Sequence, residues 1–320
     1  MASLSDSASP DHRPKPAEEH ASGPEKARPF SRWYFKLLAA FSLLTALAFV
    51  LSGYLYRWDI LQLGPAFGLL RYAAYTAAGL GITALISLVF AVRSRFKKRH
   101  LFYCVMALVL NGSIFGIAFY WNYQAQNSPF LHDITTDTTQ PPEFDIIAGL
   151  RADAPNPPEY AGEEAARLQR EGYPDIITTY FEHDKQTVFY EALALIEARG
   201  WNLAQANTDE GLIEATEILP WFGFKDDVVI RLRSEGQRSV FDMRSKSRVG
   251  GTDLGVNAAR IRAFIDDLRE RLRDKPVASP DKAAPEQPEN PDEAEEKQEQ
   301  EKPSQEAAPD STERDAAGET

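Results

Sequence analysis

The stretch DVVIRLRSEGQRSVFDMRS, residues 227–245, decides the fold of the second half of the chain. Apolar and charged residues alternate on both sides of SEGQ, and a period of two is typical of strands whose faces differ. Because SEGQ has the composition of a turn, the stretch predicts a hairpin of strands Asp227–Arg233 and Ser239–Ser245. The predicted apolar face carries Val228, Ile230, Leu232, Phe241 and Met243. The predicted opposite face carries Arg231, Arg233, Asp242 and Arg244.

Two more strands and two helices extend this pattern on either side. Segments Trp201–Ala206 and Leu212–Ile218 are predicted strands, with TDEG as their turn. Helical spacing predicts one helix over about 184–198, ended by Gly200, and another over about 256–272. We therefore expect residues 129–275 to form a two-layer α+β domain, in which an antiparallel four-stranded meander carries two helices on one face.

The first part of residues 129–275 is rich in proline. HDITTDTTQPPEF occupies residues 132–144, and PNPP occupies residues 155–158. Proline lacks the backbone donor and disfavours helix in the residue before it. We therefore expect an extended arm between the membrane and the domain.

Three apolar runs occupy the first half of the chain, at about Leu37–Tyr56, Tyr72–Val92 and Leu101–Trp121. Each run has about 20 residues, enough for a helix to cross the roughly 30 Å hydrocarbon layer of a bilayer. Residues 32–121 are therefore predicted to form a three-helix transmembrane anchor. A transport role is disfavoured because the runs carry no ionisable residue in their interiors.

The charged flanks of these runs predict the orientation. The short segment between the second and third runs contains Arg93, Arg95, Lys97, Lys98 and Arg99, whereas residues 122–150 contain no Lys or Arg. By the positive-inside rule, the N-terminus is cytoplasmic and residues 122–320 lie outside the cytoplasm. The prediction is a multi-pass protein of the cell inner membrane with a periplasmic domain.

Both ends of the chain have the composition of disordered segments. Residues 1–31 are polar, and residues 276–320 hold 14 acidic and 4 basic side chains with almost no apolar ones. Such segments cannot bury enough apolar area to offset the entropy of ordering. The acidic tail is interpreted as a solvated tether, with a docking tail as the alternative. The single cysteine, Cys104, lies in the third apolar run and cannot form an intrachain disulfide.

The stretch RSKSRVGGTDLGVN, residues 244–257, concentrates positive charge in a chain whose net charge is −12. One hypothesis is an anion pocket at the start of the last helix, where exposed backbone amides favour negative charge. Its residues would be Arg231, Arg244, Arg248, Asn257 and Arg260. The alternative is an internal network in which Arg244 pairs with Asp242, while Arg248 and Arg260 pair with Asp226, Asp227 or Asp253.

Three blocks of this sequence resemble a known bacterial family. They are HDITTDTTQPPEF, EATEILPWFGFKDDVVIRLR and DMRSKSRVGGTDLGVNAARIRAF. They are similar to the signature blocks of the family catalogued as domain of unknown function 1499, over about residues 129–274. The resemblance implies one exported domain on a membrane anchor. It implies no activity.

Candidate catalytic and metal-binding residues are few. The sequence has no GxSxG, HExxH, P-loop or paired CxxC motif. His132, Asp133 and Asp137 lie close enough for a metal site, but an exposed arm is a poor rigid shell, so His132 and Asp133 are expected to tie the arm to the domain. Asp226 and Asp227 are expected to hold a turn, with acid/base chemistry as the alternative. No metal or other cofactor is expected.

An aromatic loop joins the second and third strands of the predicted meander. It contains Trp221, Phe222 and Phe224. These rings either fold back into the core, or contact the lipid or an apolar ligand next to the membrane. Both interpretations stay open at the level of sequence.

Together these features predict a non-catalytic binding or envelope-assembly module. Its partner would be an anionic lipid, a glycan or an envelope protein, and no nucleic-acid partner is expected. The alternative function is a hydrolase of envelope material that uses Asp226 or Asp227 with His132. An enzyme requires a concave pocket in which such a group meets the arginines, whereas a binding module needs only a groove or a flat face.

Overall fold

The structure is a computed structural model that describes residues 32–93 and 98–277. The predicted disordered segments, residues 1–31 and nearly all of 276–320, therefore lie outside the described residues, as do Arg95 and Lys97 of the orientation argument. The chain divides into two compact units, Met1–Asn122 and Tyr123–Thr320. Each unit is described by itself.

The first unit consists of long apolar helices. They are α1 (Arg32–Arg57), α2 (Leu63–Arg93) and α3 (Lys98–Asn127), of which the last residues belong to the second unit. All three are long and apolar enough to cross a membrane. The predicted apolar runs lie inside these helices, and the chain has the helices of a membrane protein, as predicted.

A polar contact joins two of these helices. Asn111 of α3 is fully buried, and its side-chain Nδ2 donates to the Oγ of Ser42 in α1 at 2.8 Å. Hydrogen bonds of this kind hold helices together where both the lipid and the helix surfaces are apolar. This contact fixes the third helix against the first.

The second unit is a mixed helical and antiparallel domain. Its helices are α4 (Ile146–Leu150), α5 (Glu163–Gly172), α6 (Lys185–Ala198) and α7 (Val256–Leu272). Its strands are β1 (Asp133–Thr135), β2 (Thr179–Phe181), β3 (Asn202–Asn207), β4 (Leu212–Ile218), β5 (Lys225–Glu235) and β6 (Arg238–Ser247).

The described strands form one six-stranded sheet in the order β1-β6-β5-β4-β3, with β2 also paired to β6. Strands β3 to β6 are the predicted meander, and α6 and α7 are the two predicted helices. The prediction of four strands is wrong by two, because β1 and β2 are only three residues long and have no apolar alternation. The longest pairing joins β5 to β6 and matches Arg231 with Asp242.

The core lies between one face of the sheet and helices α6 and α7. The predicted apolar set is confirmed, since Val228, Ile230, Leu232, Phe241 and Met243 are at most 1% exposed. The ring of Phe241 lies between two other rings, with centroid distances of 5.9 Å to Phe181 and 6.2 Å to Phe264. A face that buries this much apolar area supplies the main driving force for folding.

The arm covers the other face of the sheet and is not a free spacer. Strand β1 lies within it and pairs with the end of β6, Asp133 opposite Lys246. On the free side of β1, the buried Gln169 accepts from the backbone N–H of Thr135 at 3.0 Å and donates to its carbonyl at 2.6 Å. One amide side chain thus replaces a neighbouring strand and satisfies the edge.

Candidate functional site

The alternation in RSKS, residues 244–247, sends two kinds of side chain to opposite faces of β6. Arg244 and Lys246 point to the face beneath the arm, whereas Ser245 and Ser247 point to the face beneath α7. All four residues are buried. Buried charges and buried hydroxyl groups both need partners, so each face must supply ionic or hydrogen-bonding groups.

Asp133 is the anion for the two buried cations of β6. Arg244 donates to it through Nε and Nη2, each at 2.8 Å, and the Nζ of Lys246 lies 2.9 Å from its Oδ2. The three side chains are at most 2% exposed. Burial lowers the pKa of Lys246, and Asp133 opposes that shift. The expected role of Asp133, tying the arm to the domain, corresponds to this contact.

The remaining donors of these cations hold the backbone of the arm. Arg244 donates to the carbonyls of Pro142 at 3.1 Å and Pro158 at 2.9 Å, and Lys246 donates to the carbonyl of Glu159 at 2.5 Å. An irregular segment has carbonyls that no strand or helix satisfies. Arg244 and Lys246 therefore bind the arm at both of its proline-rich segments.

A second buried carboxylate, Asp227, lies on the same face. Arg248 donates to it through Nε and Nη2, each at 2.8 Å, and the Nη1 of Arg151 lies 3.2 Å from its Oδ2. Thr216 also donates to it at 2.7 Å. The second cation matters for stability, because Asp227 keeps one arginine if the other is removed.

Arg151 is the buried residue that sequence reasoning missed. It comes from the arm and is 1% exposed. Burial lowers its pKa, and Asp227 opposes the shift. One signal could have identified it, since it is the only Lys or Arg between Trp121 and Arg167. A lone cation in a segment rich in acids and prolines predicts a specific partner.

Aromatic rings complete the space beneath the arm. Phe144 lies between two guanidinium groups, with 4.9 Å from its centroid to Arg244 and 5.4 Å to Arg151. The ring of Tyr160 lies 5.5 Å from Arg244, and burial raises the pKa of its hydroxyl to about 12. These rings stabilise the cations through the negative face of the π system.

The face beneath α7 has its own network around Arg260. Its Nη2 donates to Asp226 at 2.6 Å, its Nε donates to Glu217 at 2.5 Å, and its Nη1 donates to Ser245 at 2.8 Å. Burial alone lowers the pKa of Arg260, but Asp226 and Glu217 outweigh burial and raise it. Asn257 joins the network, since it accepts from Arg260 and donates to the Oγ of Ser247 at 3.1 Å.

The start of α7 is already occupied by a carboxylate of the chain. Asp253 accepts from the backbone N–H of Gly255 at 3.0 Å and of Asn257 at 2.7 Å. Burial raises the pKa of Asp253, and these two hydrogen bonds oppose the shift. The position that an external anion would take at a helix N-terminus is thus filled from within.

Asp242 organises a third cluster, nearer the other end of the sheet. It accepts from Arg231 at 2.9 Å and from Arg233 at 2.7 Å, and the hydroxyl of Thr178 donates to it at 2.7 Å. The predicted sharing of one face by these charges is confirmed by the register. The expected pairing of Arg244 with Asp242 is not found, because Asp133 from β1 takes Arg244 instead.

The arginines of the proposed anion pocket do not converge. Arg260 belongs to α7 and lies on the face of the sheet that this helix covers. Arg231, Arg244 and Arg248 lie on the opposite face. Two pairs of the internal network are present, Arg248 with Asp227 and Arg260 with Asp226. Adjacent residues of one strand point to opposite faces, so these two networks are separated by the sheet itself.

The remaining candidates are distributed along the arm. His132 contributes its backbone carbonyl, which accepts from Ser247 at 2.9 Å and from Asn257 at 3.0 Å. Burial lowers the pKa of its imidazole. Asp137 pairs with Arg231 at 3.1 Å. Within residues 32–93 and 98–277, no three His, Cys, Asp or Glu side chains are grouped for a metal ion.

The glycines of the loop 250–255 make room for the segment that follows α3. A Cβ on Gly251 would lie 2.5 Å from the ring of Phe130, and a Cβ on Gly255 would lie 3.2 Å from the Oγ of Ser128. The backbone N–H of Asp253 donates to the carbonyl of Leu131 at 2.9 Å. Segment 128–131 therefore runs along this loop, which explains why small residues are needed there.

The rings of the aromatic loop contact one another. Phe222 is 6% exposed, lies 5.0 Å from Trp221 and stacks on Phe224 at 5.1 Å. Trp221 and Phe224 are half-buried. Phe222 is thus packed, as in the core interpretation, while the other two rings are partly on the surface.

Comparison with known proteins bears on the second unit. A search of curated proteins finds no match to this chain. Residues 133–268 match the model of a family described as "Protein of unknown function (DUF1499)". The matched range begins at β1 and includes the Asp133, Asp227 and Arg260 networks. The resemblance inferred from the three sequence blocks is thereby confirmed, and the second unit contains a DUF1499-type domain.

Proposed function

We propose that this protein is a multi-pass protein of the cell inner membrane whose DUF1499-type domain is a non-catalytic binding or envelope-assembly module. Its N-terminus is cytoplasmic and residues 122–320 are extracytoplasmic. Its partner is an anionic lipid, a glycan or an envelope protein. The three apolar helices support the membrane part of the proposal.

One observation carries the choice of a module over an enzyme. The charged groups that chemistry would need are already paired with each other and closed off from solvent. Asp226 and Asp227 are 2% and 0% exposed, and each accepts from an arginine. A general acid or base must reach its substrate directly or through one water. Recognition therefore falls to groups on the surface of the domain.

The four cations of residues 244–260 enter this proposal as structural groups; they are Arg244, Lys246, Arg248 and Arg260. Their partners are carboxylates and carbonyls of the same domain, and breaking such buried pairs is costly. An anionic partner meets the domain at its surface, where desolvation of a charge is smaller.

The orientation is tested with a reporter fused after Lys275, beyond the end of α7. It rests on the basic segment before α3 and on the lack of Lys and Arg from 122 to 150. Alkaline phosphatase should be active at this position and a cytoplasmic fluorescent reporter should not. The reverse result would overturn the orientation without affecting the fold.

The binding role is tested on the full chain extracted in patches of native membrane. Mass spectrometry should identify an anionic lipid, glycan or envelope protein that co-isolates in a fixed ratio. His132→Ala should leave both this ratio and the composition of the envelope unchanged. An envelope component that accumulates unprocessed in cells with Asp226→Asn or His132→Ala, while the variant chain stays folded, would favour a hydrolase.

A further inference from the structure

Exposed apolar side chains lie on α4 and at the end of β4. Ile146 and Leu150 are one helical turn apart on α4 and are 47% and 61% exposed, while Ile147 between them is buried. Ile218, at the end of β4, is 40% exposed. Helix α4 is therefore amphipathic in the sense that two of its apolar side chains face away from the domain.

Hydrogen bonds and strand pairing connect these residues. The carbonyl of Leu150 accepts from Arg248 at 3.0 Å, and the backbone N–H of Arg248 donates to the carbonyl of Lys225 at 3.0 Å. Lys225 is paired with Ile218 across the β4–β5 ladder. The aromatic loop begins directly after Ile218, and we call the surface of Ile146, Leu150, Ile218, Trp221, Lys225 and Arg248 the α4 patch.

The α4 patch carries one exposed cation. Lys225 is exposed, whereas the guanidinium of Arg248 is paired with Asp227 and retains 14% of its surface. The domain around the patch is acidic, with 27 acidic and 18 basic residues in 129–275. Aliphatic side chains, an indole and a cation together form the kind of surface that binds the boundary between headgroups and acyl chains.

We infer that the α4 patch lies against the bilayer, where its aliphatic and indole groups enter the interface and Lys225 meets the phosphate of an anionic phospholipid. This inference rests on the proposed function and names its partner as lipid. The membrane anchor favours this occupant, since β1 of the domain begins at Asp133, soon after α3 ends at Asn127. Tethering keeps the bilayer at high effective concentration, so even a weak patch is engaged.

The test uses the full chain in nanodiscs, with Cys104→Ser as background. Leu150→Cys carries an environment-sensitive fluorophore, and the lipids carry a quencher near the headgroup. Ile177→Cys is the matched control, because Ile177 is 64% exposed and Leu150 is 61% exposed. We expect quenching at 150 but not at 177, and more quenching with phosphatidylglycerol than with phosphatidylcholine. Lys225→Gln should weaken the contact about fivefold, the worth of one cation at an anionic surface.

Each other result overturns the inference. Equal quenching at 150 and 177, or none at either, removes the specific patch. Quenching at 150 that ignores both lipid charge and Lys225→Gln removes the phosphate contact. If the fluorophore at position 150 is shielded from water only in native membrane extracts, a partner protein covers the patch instead of lipid. Since co-isolation from native membranes is measured separately, the patch can fail while the binding module stands.

Discussion

Asp226 and Asp227 are neighbours in sequence, yet they belong to different environments. Asp226 lies on the face packed by α7 and is bound by Arg260, a residue of that helix. Asp227 lies on the face covered by the arm and is bound by Arg248 and Arg151. The first face is a conventional apolar core with one polar network at its end. The second is held by charges and the carbonyls they bind, together with a small apolar cluster of Phe144, Ile147 and Val229.

The difference teaches how a segment without apolar periodicity can cover a sheet. The arm supplies few side chains for packing, so area burial alone holds it weakly. It supplies carbonyls that need donors, and β6 supplies Arg244 and Lys246. Each cation both pairs with Asp133 and binds the arm. Buried charge pairs thus add to a small apolar cluster on this face, whereas the opposite face relies on Phe241 and the apolar residues around it.

The largest effect is expected for Arg260→Gln. Asp226 would then be buried without a cation, and removing one partner of such a pair costs about 3–5 kcal/mol. The measurement is thermal unfolding of the full chain in detergent, with amide exchange in β5 and β6 reporting the domain.

Arg262→Gln is the control for that substitution. It removes an arginine from the same helix, but its pair with Asp175 is largely exposed, and exposed pairs are worth about 0–1 kcal/mol. Equal unfolding midpoints for the two variants would contradict the buried network beneath α7.

A smaller effect is expected for Arg248→Gln, on the face beneath the arm. Asp227 keeps Arg151 and Thr216, so the loss is that of charged hydrogen bonds, about 2 kcal/mol. Phosphate should stabilise the variant and the parent equally, because Arg248 is a structural group. If Arg248→Gln leaves stability unchanged but abolishes stabilisation by phosphate, the anion-pocket hypothesis is correct.

Ile230→Val tests the apolar face of the sheet for comparison with the face beneath the arm. Ile230 is fully buried opposite Met243, and removal of one methyl group there costs about 1 kcal/mol. The cost should be the same in low and high salt. The stability cost of Arg248→Gln should become smaller as the salt concentration rises, because the guanidinium of Arg248 is partly exposed. The same salt response for both variants would remove the distinction between the faces.

The smallest effect concerns pH and His132. Burial lowers the pKa of His132 and Lys246 lowers it further, while Asp133 and Asp253 act in the opposite direction. The folded state therefore binds fewer protons than the unfolded state just below the ordinary pKa of histidine. The stabilisation present above that value is lost as the pH falls through the folded pKa.

His132→Asn should make the unfolding midpoint less sensitive to pH in this window. His183→Asn is the comparison, since His183 is also a histidine of the domain and is 9% exposed. If only His183→Asn flattens the profile, the assignment to His132 is wrong.

Sequence predicted the meander, α6 and α7 because their apolar residues repeat with the period of each element. Helix α7 is found at its predicted residues, Val256–Leu272. The partners of the cations were harder to predict. Arg244 is bound 111 residues away by Asp133, and no local pattern specifies a contact at that separation. Strand β1 and the amide of Gln169 were missed for the same reason, since three residues carry no period.

The pairing of β1 with β6 also sets an order in biosynthesis. Strand β1 is the first strand of the domain to be made, and its partner is made last, since Asp133 and Arg244 are 111 positions apart in the sequence. At roughly 5–20 residues per second, β1 waits on the order of ten seconds for β6.

A waiting strand must not pair with other chains, and HDITTDTTQPPEF meets that need with polar residues and prolines. The domain cannot complete its sheet before β6 has been made. Arg244 and Lys246 can therefore bind the arm only after translation has reached residue 247.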